Sequence, residues 1–129
     1  MNVSELHQDV MLLLQLDQVY RPSLAARQYA HSDELAEVLK NGRFFETYSM
    51  ASAERFHINE VATYFELLGM LRSRGIVDSQ LALEWSGAQT MWRVIGPVLL
   101  EAREVYGIPD LWTDFEALAA AQSEHPQDG

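Results

Sequence analysis

Apolar residues recur at every third or fourth position along most of the chain, the spacing that places them on one face of an α-helix. The clearest stretch covers residues 52–74, and its apolar positions are Ile58, Val61, Phe65, Leu68 and Leu71. The sequence contains no alternating apolar and polar stretch long enough to indicate a β-strand. The pattern therefore predicts an all-α fold.

Residues typical of helix ends divide this pattern into about six helices. Ser4 is the predicted N-cap of the first helix, and Gly75 and Gly107 are predicted to end two later ones. The predicted helices occupy residues 4–20, 23–41, 52–74, 78–85, 88–106 and 109–121. Ser and Asp at 32–33 favour helix caps, so the second segment is either one helix or two.

The size of the chain predicts a compact bundle with short connections. A length of 129 residues is typical of one domain, here residues 1–121. Residues 122–129 carry few apolar side chains, and we expect them to form a mobile tail.

Composition narrows the possible partners and compartments. Nineteen acidic against nine basic residues give a net charge of −10, which disfavours binding to nucleic acid or to anionic lipid. The absence of cysteine excludes disulfides and thiolate chemistry. The chain starts without the basic stretch of a secretory signal, and its longest apolar run is too short to cross a membrane. We therefore expect a cytoplasmic protein.

One pair of residues suggests a polar site. Trp92 and Arg103 are eleven residues apart, which is three helical turns, so they lie on the same side of one predicted helix. Glu66 and Glu116 each follow a core-facing phenylalanine and are candidate partners for the guanidinium. The favoured interpretation is an ion pair that fixes the register of the helices. The alternative is a cleft in which these four residues bind an anionic ligand.

The order of these features resembles a widespread bacterial family of small helical domains of unknown function. The residues that carry the resemblance are Phe65, Glu66, Gly69, the turn at 75–78, Trp92, Arg103, Phe115, Glu116 and Leu118. They lie within residues 45–121. The resemblance implies an all-helical fold and brings no reaction, substrate or cofactor. Some family members carry an added membrane helix, which we do not expect in this chain.

Evidence for catalysis or for metal binding is sparse. Glu54 and His57 have the Glu-x-x-His spacing of di-iron bundles, but such a site needs a second copy, which is missing. We therefore expect no metal and no cofactor. The chain also lacks Gly-x-Ser-x-Gly and phosphate-binding glycine loops. No catalytic residue is assigned, and whether the protein is an enzyme stays open.

The first helix suggests an interface. Leu6, Val10, Leu13 and Leu14 form its predicted core stripe, and Met11, Leu12 and Leu16 lie outside that stripe. A helix that is apolar nearly all round is usually buried on more than one side. We therefore predict a homodimer through this helix. The rival hypothesis places the helix at the centre of the monomer.

Two hypotheses about function follow from these observations. The leading one is a non-enzymatic helical interaction or scaffold domain that pairs with itself or with another protein. The alternative is a small-molecule or anion binder, which could be an enzyme, with a cleft around Trp92 and Arg103.

Overall fold

The computed structural model describes residues 2–124, and within them it shows eight α-helices and no strand. The helices are α1 (Val3–Tyr20), α2 (Leu24–Ala30), α3 (Asp33–Asn41), α4 (Phe44–Thr47), α5 (Ala53–Ser73), α6 (Ser79–Trp85), α7 (Ala88–Tyr106) and α8 (Thr113–Glu124). The predicted all-α fold is confirmed. None of the helices in this part of the chain combines the length and the apolar character needed to cross a membrane.

Two features raise the number of helices from six to eight. Ser32 ends α2 and begins α3, because its hydroxyl donates to the Tyr29 carbonyl and accepts from the Leu35 N–H. Residues 23–41 are therefore two helices. The other addition is α4, a single turn that is too short to produce a periodic apolar pattern.

The first and the last helix of the chain have boundaries that differ from the predicted ones. The N-cap of α1 is Asn2 rather than Ser4, and its side chain accepts from the Glu5 N–H. At the other end, α8 continues to Glu124, so residues 122–124 are helical and do not belong to a tail. Gln122 explains part of this difference, because its side chain donates to the Leu83 carbonyl and accepts from the Gln89 N–H. The rest of the predicted tail, 125–129, lies outside the described residues.

The centre of the bundle is α5, not α1. This helix packs against α1, α2, α6 and α8, and its buried side chains include Val61, Phe65 and Leu68. In contrast, α1 lies along α5 at the edge of the bundle. The hypothesis that α1 occupies the centre of the monomer is therefore wrong.

The core face of α1 also differs from the predicted stripe. Leu13 and Leu16 are buried, whereas Leu6 and Leu14 are 42% and 48% exposed. The helix is thus rotated by roughly 80° from the predicted orientation, at about 100° per residue. Two acidic side chains explain the rotation: Asp9 accepts from the Asp78 N–H, and Asp17 accepts from the hydroxyl of a core tyrosine.

The tightest contact between helices joins α5 to α8. A Cβ added at Gly69 would lie 2.3 Å from the Asp114 carbonyl oxygen, so only glycine allows this approach. One turn before Gly69, the ring of Phe65 stacks on that of Phe115, with the centroids 4.9 Å apart. Hence α8 lies directly against the middle of the central helix.

We expect Gly69→Ala to lower the free energy of unfolding by about 2–4 kcal/mol, because a backbone carbonyl cannot turn away from the new methyl group. The control is Gly42→Ala, at an extended residue whose added Cβ would meet its nearest atom at 3.8 Å. Urea unfolding monitored by circular dichroism measures both variants. Equal stability of the two variants would contradict the close contact.

Candidate functional site

Arg103 lies in the last turn of α7 and binds atoms of the protein itself. Its Nη2 donates to Glu116 Oε1 at 2.9 Å, and its Nε donates to the Leu111 carbonyl oxygen at 2.8 Å. The side chain is only 17% exposed. Of the two expected carboxylates, Glu116 is therefore the partner. A partly buried ion pair between α7 and α8 agrees with the favoured interpretation of these residues.

Glu66 has a different role, because it binds the N-terminal end of α8. Its Oε1 accepts from the Phe115 N–H at 2.8 Å, which satisfies one of the helix's first backbone donors. Burial raises the pKa of the Glu66 carboxyl above its ordinary value of 4.5, although the Phe115 N–H opposes the rise by favouring the charged form.

Trp92 packs beside these polar residues. Its ring meets Phe115 edge to face, with the centroids 5.0 Å apart, and lies close against Gly96 one turn further along α7. The four residues predicted from the sequence thus come together, and they join α5, α7 and α8. Binding of an anion by this set stays a hypothesis.

We expect the wild type to lose stability relative to Glu66→Gln as the pH rises from about 4 to about 7. A carboxyl whose pKa is higher in the folded chain takes up protons on folding, so its contribution to stability falls as the pH rises. The glutamine oxygen can still accept from the Phe115 N–H. Urea unfolding across this pH range measures the difference.

The control for this experiment is Glu84→Gln, which removes the same charge from an exposed position on α6. The same pH dependence in both variants would exclude burial of Glu66 as its cause.

The Glu-x-x-His pair lies at the start of α5. The His57 ring packs on Tyr29, with the centroids 5.8 Å apart. Nowhere in residues 2–124 do three or more His, Asp or Glu side chains come together in a group that could hold a metal ion.

A band of apolar residues on α1 is exposed to solvent. We call the set of Val3, Leu6, Val10, Met11 and Leu14 the α1 band; Val10 is half-buried, and the other four are exposed. Of the predicted interface residues, Met11 belongs to this band. Leu12 is half-buried and packs against the core, whereas Leu16 is itself buried in the core, so neither belongs to the α1 band.

An apolar pocket of about 500 Å³ opens between α4, α5 and the connection from α7 to α8. Its lining includes Phe44, Phe45, Phe56, Leu99, Tyr106 and Trp112, and we call it the apolar pocket. No sequence pattern predicts this site, because its lining comes from four separate segments. The only local signal is the density of aromatic residues.

The wall of the apolar pocket depends on the predicted polar residues. Residues 109–112 form turns rather than the first turn of α8, which begins at Thr113 instead of near Pro109. Trp112 has a left-handed backbone with φ 64°, a conformation that is strained for a large residue. Arg103 stabilises this connection through its bond to the Leu111 carbonyl.

The fold and the junction of α5, α7 and α8 define a small all-α helical domain. A family model described as "Domain of unknown function (DUF4760)" matches residues 8–122. The match covers most of the chain, so the protein belongs to this family, and the predicted resemblance is confirmed. No curated protein and no solved structure matches the chain.

Proposed function

We propose that the protein is a helical interaction domain that pairs with a second copy of itself through the α1 band. The observation that carries this proposal is the exposure of the band. Its residues have helical spacing and form a strip along one side of α1, next to the face that packs on α5. Water is excluded from such a strip most simply when the same strip of another copy packs against it.

The distribution of charge on α1 supports self-association despite the net charge of −10. At about 100° per residue, Glu5 and Asp9 lie outside the sector of the α1 band. Asp17 lies at the edge of this sector, and its carboxylate accepts hydrogen bonds from Tyr64 and Trp85. Two copies can therefore approach through this face without bringing unpaired carboxylates together.

We expect the wild type to be a dimer at about 50 μM and Leu14→Glu to be a monomer, because the substitution places a charge within the paired faces. Size exclusion with light scattering measures both masses. Leu100→Glu is the matched control, since Leu100 is 44% exposed on α7, outside the band, and should leave the dimer intact.

A monomeric wild type would overturn this proposal, and so would a dimer that persists in Leu14→Glu. Circular dichroism of each variant verifies that the helices remain folded.

The apolar pocket favours a second candidate function, the binding of a small neutral apolar molecule. Its volume of about 500 Å³ lies in the range of small-molecule sites. Arg55 is the charged residue in its lining. Its Nε donates to the Tyr48 carbonyl, and its Nη2 donates to the Phe45 carbonyl. These two nitrogens are therefore already bonded within the protein, and the remaining lining is mainly apolar, which suits a neutral apolar ligand.

We expect the neutral fluorophore N-phenyl-1-naphthylamine to bind in this pocket and Ala51→Trp to weaken binding by about tenfold, because the larger side chain occupies the space of the probe. Ala51 lines the pocket at an exposed turn. The control is Ala120→Trp, at an exposed position of α8. Fluorescence titration gives the Kd. Equal binding by wild type and Ala51→Trp would exclude this site.

A further inference from the structure

A second pocket differs from the apolar pocket in its chemistry. It has a volume of about 470 Å³ and lies where the C-terminal ends of α1, α2 and α6 meet the N-terminal end of α7. Its polar lining includes Asp17, Arg21, Arg27, His31 and Thr90, and we call it the cationic pocket. No sequence pattern brings these residues together, because they lie on separate helices and connections.

The two arginines of this pocket lack acidic partners. Within residues 2–124, every ion pair between side chains involves Arg43 or Arg103. Neither Arg21 nor Arg27 forms one. The Nε of Arg27 is buried and has no hydrogen-bond partner in the described structure. A buried N–H without an acceptor is unfavourable, and it leaves the Arg27 guanidinium without a partner inside the protein on this side.

One carboxylate is present in the pocket, and it is fixed by neighbouring donors. Asp17 Oδ1 accepts from the Tyr64 hydroxyl at 2.5 Å and from Trp85 Nε1 at 3.2 Å. Burial, followed by the bond to Asp17, raises the pKa of the Tyr64 hydroxyl, which therefore remains a donor. Two guanidinium groups against one carboxylate leave the pocket with an excess of positive charge in a protein of net charge −10.

The rest of the wall suits a ligand with a flat apolar part. Trp85 and Met91 line the pocket beside the arginines and offer apolar surface to such a group. Gly87, the N-cap residue of α7, also lines the pocket and has no side chain that could cap the helix. Gln122 already accepts from the Gln89 N–H in the first turn of α7, so this helix end adds only its dipole to the attraction for an anion.

We propose that the cationic pocket binds a small organic anion, with its carboxylate or phosphate on Arg21 and Arg27 and its apolar part against Trp85. The two kinds of anionic group present the same oxygen acceptors to the guanidinium groups. This proposal does not depend on self-association, because the α1 band and the cationic pocket share no residue.

Isothermal titration calorimetry with phenyl phosphate and with benzoate tests the proposal on the full-length protein. We expect at least one of them to bind with a Kd of about 1 mM or below, and the tighter of the two identifies the preferred anionic group. Arg27→Gln and Arg21→Gln should each weaken binding by about tenfold. Arg93→Gln, which removes an exposed charge from α7, should leave the Kd within about twofold.

The proposal is overturned if neither anion binds at about 10 mM, or if both pocket variants bind as the wild type does. A loss in Arg93→Gln as large as that in Arg27→Gln would also overturn it, because it would show a general effect of charge. Arg21 is exposed, so its variant keeps the test valid if Arg27→Gln proves unstable.

Discussion

The close contact of α5 and α8 at Gly69 is the constraint on which the rest of the structure depends. With no side chain at this position, the backbone of Asp114 lies directly against the central helix. That proximity allows Glu66 to accept from the Phe115 N–H and Phe65 to stack on Phe115. The same placement of α8 brings Glu116 to Arg103, which in turn bonds the connection between α7 and α8. One small residue thus determines the position of three helices.

The residues that carry the family resemblance are largely the residues of this junction. Phe65, Glu66, Trp92, Arg103 and Phe115 contact one another, or the connection that precedes α8, through hydrogen bonds and ring contacts. Their arrangement explains how such a pattern can specify a fold without specifying a reaction. Of the surfaces that we propose for binding, the α1 band is at the edge of the bundle, and the cationic pocket, which Phe65 also lines, is at the ends of four helices. The apolar pocket adjoins the junction through the connection that Arg103 bonds.

The two pockets show how packing of one helical bundle produces sites of opposite character. Around the apolar pocket, Nε and Nη2 of Arg55 are satisfied by backbone carbonyls, so mainly aromatic surface remains for a ligand. In the cationic pocket, the one carboxylate is occupied by Tyr64 and Trp85, and the buried Nε of Arg27 has no acceptor. The difference arises from which polar groups find partners within the protein.

The sequence by itself determined the helical class, the long helices α5 and α7 and the brief α6, because periodicity and helix caps are local signals. For Arg103 it left Glu66 and Glu116 as candidate partners, and the packing of α8 selected Glu116. The sequence did not determine the rotation of α1, whose middle turns are apolar nearly all round. The rotation is fixed by two aspartates that accept from donors more than 60 positions away in the chain. Asp9 accepts from the Asp78 N–H, and Asp17 accepts from Trp85 Nε1. Only the tertiary structure formed the two pockets, since their walls come from segments far apart in the chain. Local patterns encode local structure, whereas a binding surface depends on how the helices pack.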